Sequence, residues 1–124
     1  MSFVPANLID QLATLNRDNA DAQPFGVVQI DDQGVVKLYN KWESDMAAVP
    51  VSSAEGKNFF TQVAPCCNNR LVYGKFKEGI AKGELDSEFN YTFTYKMKPT
   101  NVAIRLYRHT GSKTNWVFVI KRAA

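Results

Sequence analysis

The sequence is poor in the residues that usually build metal and redox centres. It has one histidine, His109, and two cysteines, Cys66 and Cys67, in 124 residues. A structural zinc site usually takes four Cys or His ligands, often in Cys-x-x-Cys spacing. Here the cysteines are adjacent and His109 lies far along the chain, so no metal centre is expected. His109 is expected at a surface or strand end. Adjacent cysteines also make a poor structural disulfide, because the small ring they close is strained. No apolar run approaches the ~20 residues needed to cross a membrane. The N-terminus lacks a charged region followed by an apolar block and a small-residue cleavage site, so a cytoplasmic protein is expected. There is no arginine-rich block. The net charge is +3, with bases scattered among acids, so neither nucleic acid nor a membrane is an expected partner. No Ser-His-Asp set, paired acidic dyad or phosphate loop is present, and an enzyme is not expected. Internal repeats and low-complexity stretches are absent too.

What is there suits one domain with one core. Pro5 and the spacing of Leu8, Ile9, Leu12 and Leu15 predict a helix over about 5–17. Asn16 to Gln23 is polar and ends at Pro24, which reads as a linker, so residues 1–24 are expected to form a detachable helical cap on a core of residues 25–124. Phe25 to Ile30 and Val35 to Tyr39 predict a hairpin around Asp31-Asp32-Gln33-Gly34. Asn40, with Glu43 three positions on, fits a capping box opening a short helix. Ser52 or Ser53 is expected to open a turn of helix before Gly56. A further turn is expected from Asn58 to Val63, ended by Pro65. Leu71 to Lys82 predicts the longest helix, with Gly83 just past its end. Glu88 to Met97 alternates, placing Phe89, Tyr91, Phe93, Tyr95 and Met97 on one face. A turn at Lys98 to Asn101 leads to a strand from Val102. The nearly continuous apolar run Trp116 to Ile120 suits a central strand buried on both sides. Five antiparallel strands with short helices and one longer helix packed on one face, plus an N-terminal helical cap, make an α+β domain.

The candidate chemistry centres on Val63-Ala64-Pro65-Cys66-Cys67. Cys66 fits either a small buried hydrophobe or a nucleophilic thiolate and covalent attachment point. Cys67 fits packing, since adjacent side chains usually point in different directions. Tyr39 and Glu43 fit packing and capping roles, but at four-residue spacing a phenol and a carboxyl group can also aim at one ligand atom. A buried glutamate there would stay protonated and donate a hydrogen bond. The aromatic stripe fits a core or the wall of a pocket for a flat aromatic ligand.

Together these residues resemble the photoactive yellow protein family, the blue-light receptors that typify the PAS fold. The resemblance is carried by Tyr39-Asn40, Glu43, Gly56-Lys57-Asn58-Phe59-Phe60, Val63-Ala64-Pro65-Cys66, Tyr73-Gly74-Lys75-Phe76-Lys77-Glu78-Gly79, Tyr91-Thr92-Phe93, Met97, Pro99 and Trp116-Val117-Phe118-Val119. It runs collinearly from about Phe25 to the C-terminus. It implies a PAS-like domain and a trans-4-hydroxycinnamic acid (p-coumaric acid) chromophore held as a thioester on Cys66. Tyr39 and Glu43 would hydrogen-bond its phenolate. Val28, Phe59, Ala64, Pro65, Cys67, Phe93, Tyr95 and Met97 would complete the site.

The resemblance further implies signalling by trans–cis isomerisation, proton transfer from the buried glutamate and release of the N-terminal cap. The expected partner is a downstream signalling protein, and the chain is expected to be a monomer or weak dimer. Three residues depart from the family pattern. Ala47 stands where a threonine normally bonds the tyrosine, Val49 where an arginine normally covers the pocket mouth, and Cys67 where a threonine normally follows the attachment site. The competing readings are a PAS module that binds another small molecule or a protein partner, and a thiol-dependent redox protein using Cys66 and Cys67.

Overall fold

The computed structural model describes residues 3–94 and 99–121. Five strands, β1 Gly26–Ile30, β2 Val36–Tyr39, β3 Asp86–Phe93, β4 Thr100–His109 and β5 Thr114–Lys121, form one sheet in the order β2-β1-β5-β4-β3. All neighbouring pairs are antiparallel. The first hairpin turns as its sequence predicts. Asp31 Oδ1 accepts the Gln33 and Val35 amides at 2.9 Å, and Gly34 takes the left-handed conformation at φ +90°. His109 ends β4, and its Nδ1 lies 2.7 Å from the Ser112 hydroxyl. Thr100 and Asn101, expected in a turn, instead pair with Phe93 and Thr92 in the ladder. The expected continuation of the third strand through Tyr95 and Met97 lies outside the described residues.

β5 is the central strand, and it is buried on both sides. Val117 and Val119 join one core, while Trp116 and Phe118 join another across the sheet. Burial of each such side chain contributes about 1.5–3 kcal/mol. The second core is closed by the N-terminal segment, so helices cover both faces rather than one.

That segment departs from a single helix and a linker. It folds as α1 Ala6–Asp10, a tight turn Leu12–Thr14 and α2 Arg17–Asp21. The polar stretch becomes helical because the Asn16 side chain accepts the Asn19 amide at 2.8 Å, satisfying an open helix end, and because Ala20 packs fully buried. Val4, Leu8, Leu12 and Ala20 meet Phe25, Val27, Leu38, Trp116 and Phe118.

The connection from β2 to β3 runs from one sheet edge to the other across the opposite face. It contains α3 Lys41–Ala47, α4 Val51–Ala54 and α5 Lys75–Lys82. α4 starts directly after Pro50 rather than at a serine. The predicted 71–82 helix is two pieces. Asn69 caps a wide turn, Arg70–Gly74, in which the Gly74 amide reaches back five residues to the Asn69 carbonyl at 2.9 Å. α5 follows and ends at Gly83, φ +77°. Asn58 caps a second wide turn, Phe59–Val63, where the Ala64 amide bonds the Phe59 carbonyl at 2.7 Å. Proline at position 65 then starts a tight turn over Pro65–Cys67. The crossover thus brings the end of β2, the start of α3 and the cysteine turn onto one sheet face.

Candidate functional site

Tyr39 is the last residue of β2 and Glu43 lies in the first turn of α3. Asn40 joins them. Its side-chain oxygen accepts the Glu43 amide at 3.1 Å and the Val27 amide at 2.9 Å, and its amide group donates to Ala20 O and Phe25 O. Only half of the expected capping box forms. The Asn40 amide bonds the Val27 carbonyl, which leaves the Glu43 carboxyl group free to turn inward. Glu43 and Ala47, one turn apart on α3, then line one wall of a narrow cavity together with Tyr39 at the end of β2.

The opposite wall comes from the cysteine turn and β3. Val63, Ala64, Cys66 and Phe93 complete the lining. The cavity measures about 10 Å³, room for about one water, so a larger guest must part its walls. Cys66 is half-buried at the cavity, whereas Cys67 is fully buried in the core. Tyr91 pins the turn by donating from its hydroxyl to the Cys66 carbonyl, and Asn69 Nδ2 donates to the same hydroxyl at 2.6 Å.

The electrostatics separate these groups. Burial, with the charge of Cys66 second, pushes the Glu43 carboxyl up to about 8, so it holds its proton at neutral pH. Burial also raises the Tyr39 phenol, with the Glu43 charge adding to the effect. Both groups are therefore hydrogen-bond donors in their resting form. Glu43 Oε1 is buried and has no hydrogen-bond partner among the described residues. An orphaned polar atom of this kind is costly unless a ligand group meets it. A hydrogen bond with the Cys66 thiol, then burial, raise the Cys67 thiol, which keeps it neutral and a poor nucleophile.

Of the residues expected from sequence, Tyr39, Glu43, Ala64, Cys66 and Phe93 line this cavity together. Val28, paired with Tyr39 across the hairpin, and Phe59 are fully buried in the same core without lining it. Pro65 is half-buried beside Cys66, and Cys67 lies behind it. Tyr95 and Met97 lie outside the described residues. Val49 is buried in this core, and its carbonyl accepts the Ser44 hydroxyl at 2.7 Å.

Sequence reasoning missed Val63 as a lining residue and missed the supports. Gly26 is the clearest of these, because a Cβ there would stand 2.1 Å from Glu43 Oε1. A glycine inside a strand is the available signal, since it often marks a close approach. A separate open groove of about 530 Å³, lined by Lys75, Glu78, Lys82, Asp86 and Arg108 among others, carries charges of both signs and shares no lining residue with the cavity.

No model of a known protein family matches the sequence. A curated relative, the photoactive yellow protein of Halochromatium salexigens, is 37% identical over 117 residues, which cover 94% of each chain. The chain belongs to the photoactive yellow protein family. A solved structure, the photoactive yellow protein domain of the sensor histidine kinase Ppr from Rhodospirillum centenum, matches with a TM-score of 0.85. It is 34% identical, over 91% of this chain and 99% of that one. The PAS domain of BvgS from Bordetella pertussis matches at a TM-score of 0.62 and 15% identity over 93% of this chain and 88% of that one, a likeness of fold alone. Membership in the photoactive yellow protein family makes this chain a photoreceptor with a PAS fold. Among the described residues, no helix is long and apolar enough to cross a membrane.

Proposed function

We propose that the chain is a blue-light photoreceptor whose chromophore is p-coumaric acid, bound as a thioester to Cys66 Sγ. The observation that carries the proposal is the buried, orphaned Glu43 Oε1 at a narrow cavity that Cys66 also lines. Membership in the family supports the same ligand class. When bound, the group supplies visible absorption and a double bond that light isomerises.

Tyr39 and Glu43 donate to its phenolate oxygen, and such charge-assisted bonds are shorter and stronger than neutral ones. A buried phenolate without donors would be too costly to hold. Ala47 offers no hydroxyl to Tyr39, so the phenol relies on its own backbone and packing for orientation. After light absorption, Glu43 gives its proton to the phenolate oxygen. The resulting carboxylate is buried among apolar side chains, which destabilises the packed state and favours release of residues 1–24. Those residues touch the Tyr39–Lys41 joint directly, through Arg17, Ala20 and Asp21. The released surface would meet a downstream signalling protein in the cytoplasm.

Reconstitution with activated p-coumaric acid tests the reading. A yellow protein that bleaches reversibly in blue light is expected, with intact mass increased by one acyl group. Cys66→Ser should abolish uptake completely and Cys67→Ser should retain it. Labelling at Cys67 would overturn the site assignment. Glu43→Gln should shift the visible band, and an unchanged spectrum would exclude direct contact with the phenolate. A colourless product from the unaltered chain would favour a PAS module for another ligand.

A further inference from the structure

β2 is an edge strand of the sheet. On an edge, alternate residues point their main-chain N–H and C=O away from the neighbouring strand. The Asn40 amide bonds Val27 O on β1, so the polar groups of Tyr39 face outward. At Val36 the outward groups find backbone partners, since the Val36 amide donates to Lys57 O at 2.8 Å and its carbonyl accepts the Gly56 amide at 2.9 Å. At Tyr39 side chains take over. Glu55 Oε2 accepts the Tyr39 amide at 3.0 Å, and Arg17 Nη1 donates to the Tyr39 carbonyl at 3.4 Å. Arg17 Nη2 closes the set by bonding Glu55 Oε2.

We propose that Arg17 and Glu55 are positioning residues for Tyr39: a charge pair that holds both outward main-chain groups of the phenol-bearing residue and ties them to the N-terminal segment. Arg17 opens α2 and Glu55 ends α4, so the pair joins three elements at one point. α2 holds the next two residues as well. Ala20 O accepts Asn40 Nδ2 at 2.8 Å, and Asp21 Oδ1 accepts the Lys41 amide at 2.7 Å. Tyr39, Asn40 and Lys41 are the joint between the phenol and the helix carrying Glu43. Docking of α2 and the placement of Tyr39 are therefore one equilibrium, and a change at either end is felt equally at the other.

The pair itself is partly exposed, with Arg17 44% and Glu55 27% accessible in their side chains. As an isolated surface ion pair it would count for little. Its weight comes from the main-chain groups it satisfies on an otherwise open edge. The same exposure makes its charge part sensitive to salt. The light-dependent side of this inference rests on the photoreceptor reading above, whereas the docking side does not.

Amide hydrogen exchange on the full chain without pigment tests the docking side. Glu55→Ala should speed exchange at the Tyr39 amide by roughly tenfold or more while β4 and β5 keep their protection. Glu55→Gln keeps an acceptor but loses the charge, so it should spare the Tyr39 amide and loosen α2. Arg17→Met should loosen α2, and the Arg17→Met/Glu55→Gln double variant should do so no more than either single change. Salt at about 1 M should loosen α2 in the unaltered chain and leave Arg17→Met unaffected. Unchanged Tyr39 exchange in Glu55→Ala, or equal acceleration at every amide in these variants, would overturn the proposal.

In pigmented protein, Arg17→Met should also shift the visible band and speed exposure of the N-terminal segment after a flash; an unchanged band and unchanged release would overturn the coupling to the phenol. Failure of the unaltered chain to form a visible band would sink the photoreceptor reading, and the exchange data would then decide the latch alone.

Discussion

The two faces of the sheet do different work with similar materials. On the N-terminal face, Phe25 meets Phe3 and Phe118 edge-on, and Trp116 stacks on Phe118. Rings in these arrangements gain from both area and quadrupole geometry. On the other face, Phe59, Phe60, Tyr73 and Phe76 form a similar aromatic cluster, yet beside it lies a fully buried carboxyl group with an unpartnered oxygen. The first face spends its apolar burial on holding the N-terminal segment down. The second uses its packing to confine a proton on Glu43. A core can thus carry a destabilising polar group if its surroundings are apolar and tight enough to deny it water.

Three measurements test that contrast. Phe118→Ala on the N-terminal face should cost about 3–5 kcal/mol in urea unfolding, because it removes a fully buried ring and leaves a cavity. Its visible band after reconstitution should stay close to that of the unaltered protein. A large band shift would show that the faces are not separable.

The second measurement concerns the confined proton. The folded carboxyl of Glu43 titrates near 8, against an ordinary value of 4.5. The folded state therefore binds the proton more tightly than the unfolded state. Its contribution to stability is fully present below pH 4.5 and is lost as pH rises to about 8. The pigment-free chain should lose a few kcal/mol across that window, and Glu43→Gln should flatten the curve. A curve of the same slope in both would locate the titration elsewhere.

The smallest effect is expected at Gly26. A methyl group there meets Glu43 Oε1 at 2.1 Å and Val119 Cβ at 3.3 Å. Gly26→Ala should destabilise by about 1–3 kcal/mol, as overpacking does. Combining it with Glu43→Ala should reduce the added cost, since the oxygen it strikes is then gone. Full additivity would mean that the strand, rather than the carboxyl group, resists the methyl.

Much of this architecture was legible in the residues. The Asp31–Gly34 turn, the Asn40 cap, the two-sided run at Trp116 to Ile120 and Gly83 beyond the longest helix all act locally, through hydrogen bonds or φ preferences within a few residues. The four-residue spacing also brought Tyr39 and Glu43 to one cavity, although Tyr39 ends a strand and only Glu43 lies on the helix. Where the fold departs from the local pattern, tertiary contacts are the common cause. Asn16 to Gln23 looked like a linker because it is polar, yet its one buried alanine and its capping asparagine let it fold against Asn40 and Lys41. The 71–82 helix was too long by a wide turn, because Asn69 bonds the Leu71 and Val72 amides and resets the hydrogen-bond register.

For the site, the residue types and their order were set by the chain alone: a phenol and a carboxyl group four residues apart, and a thiol after a proline. Such spacing leaves packing and chemistry equally open. The tertiary structure set Cys66 at the cavity wall and buried Cys67 in the core. It also turned Glu43 inward against a glycine in another strand and tied Tyr39 to an arginine 22 positions earlier. Burial and long-range contacts are what move a pKa or orient a main-chain group, and both depend on residues far apart in the chain.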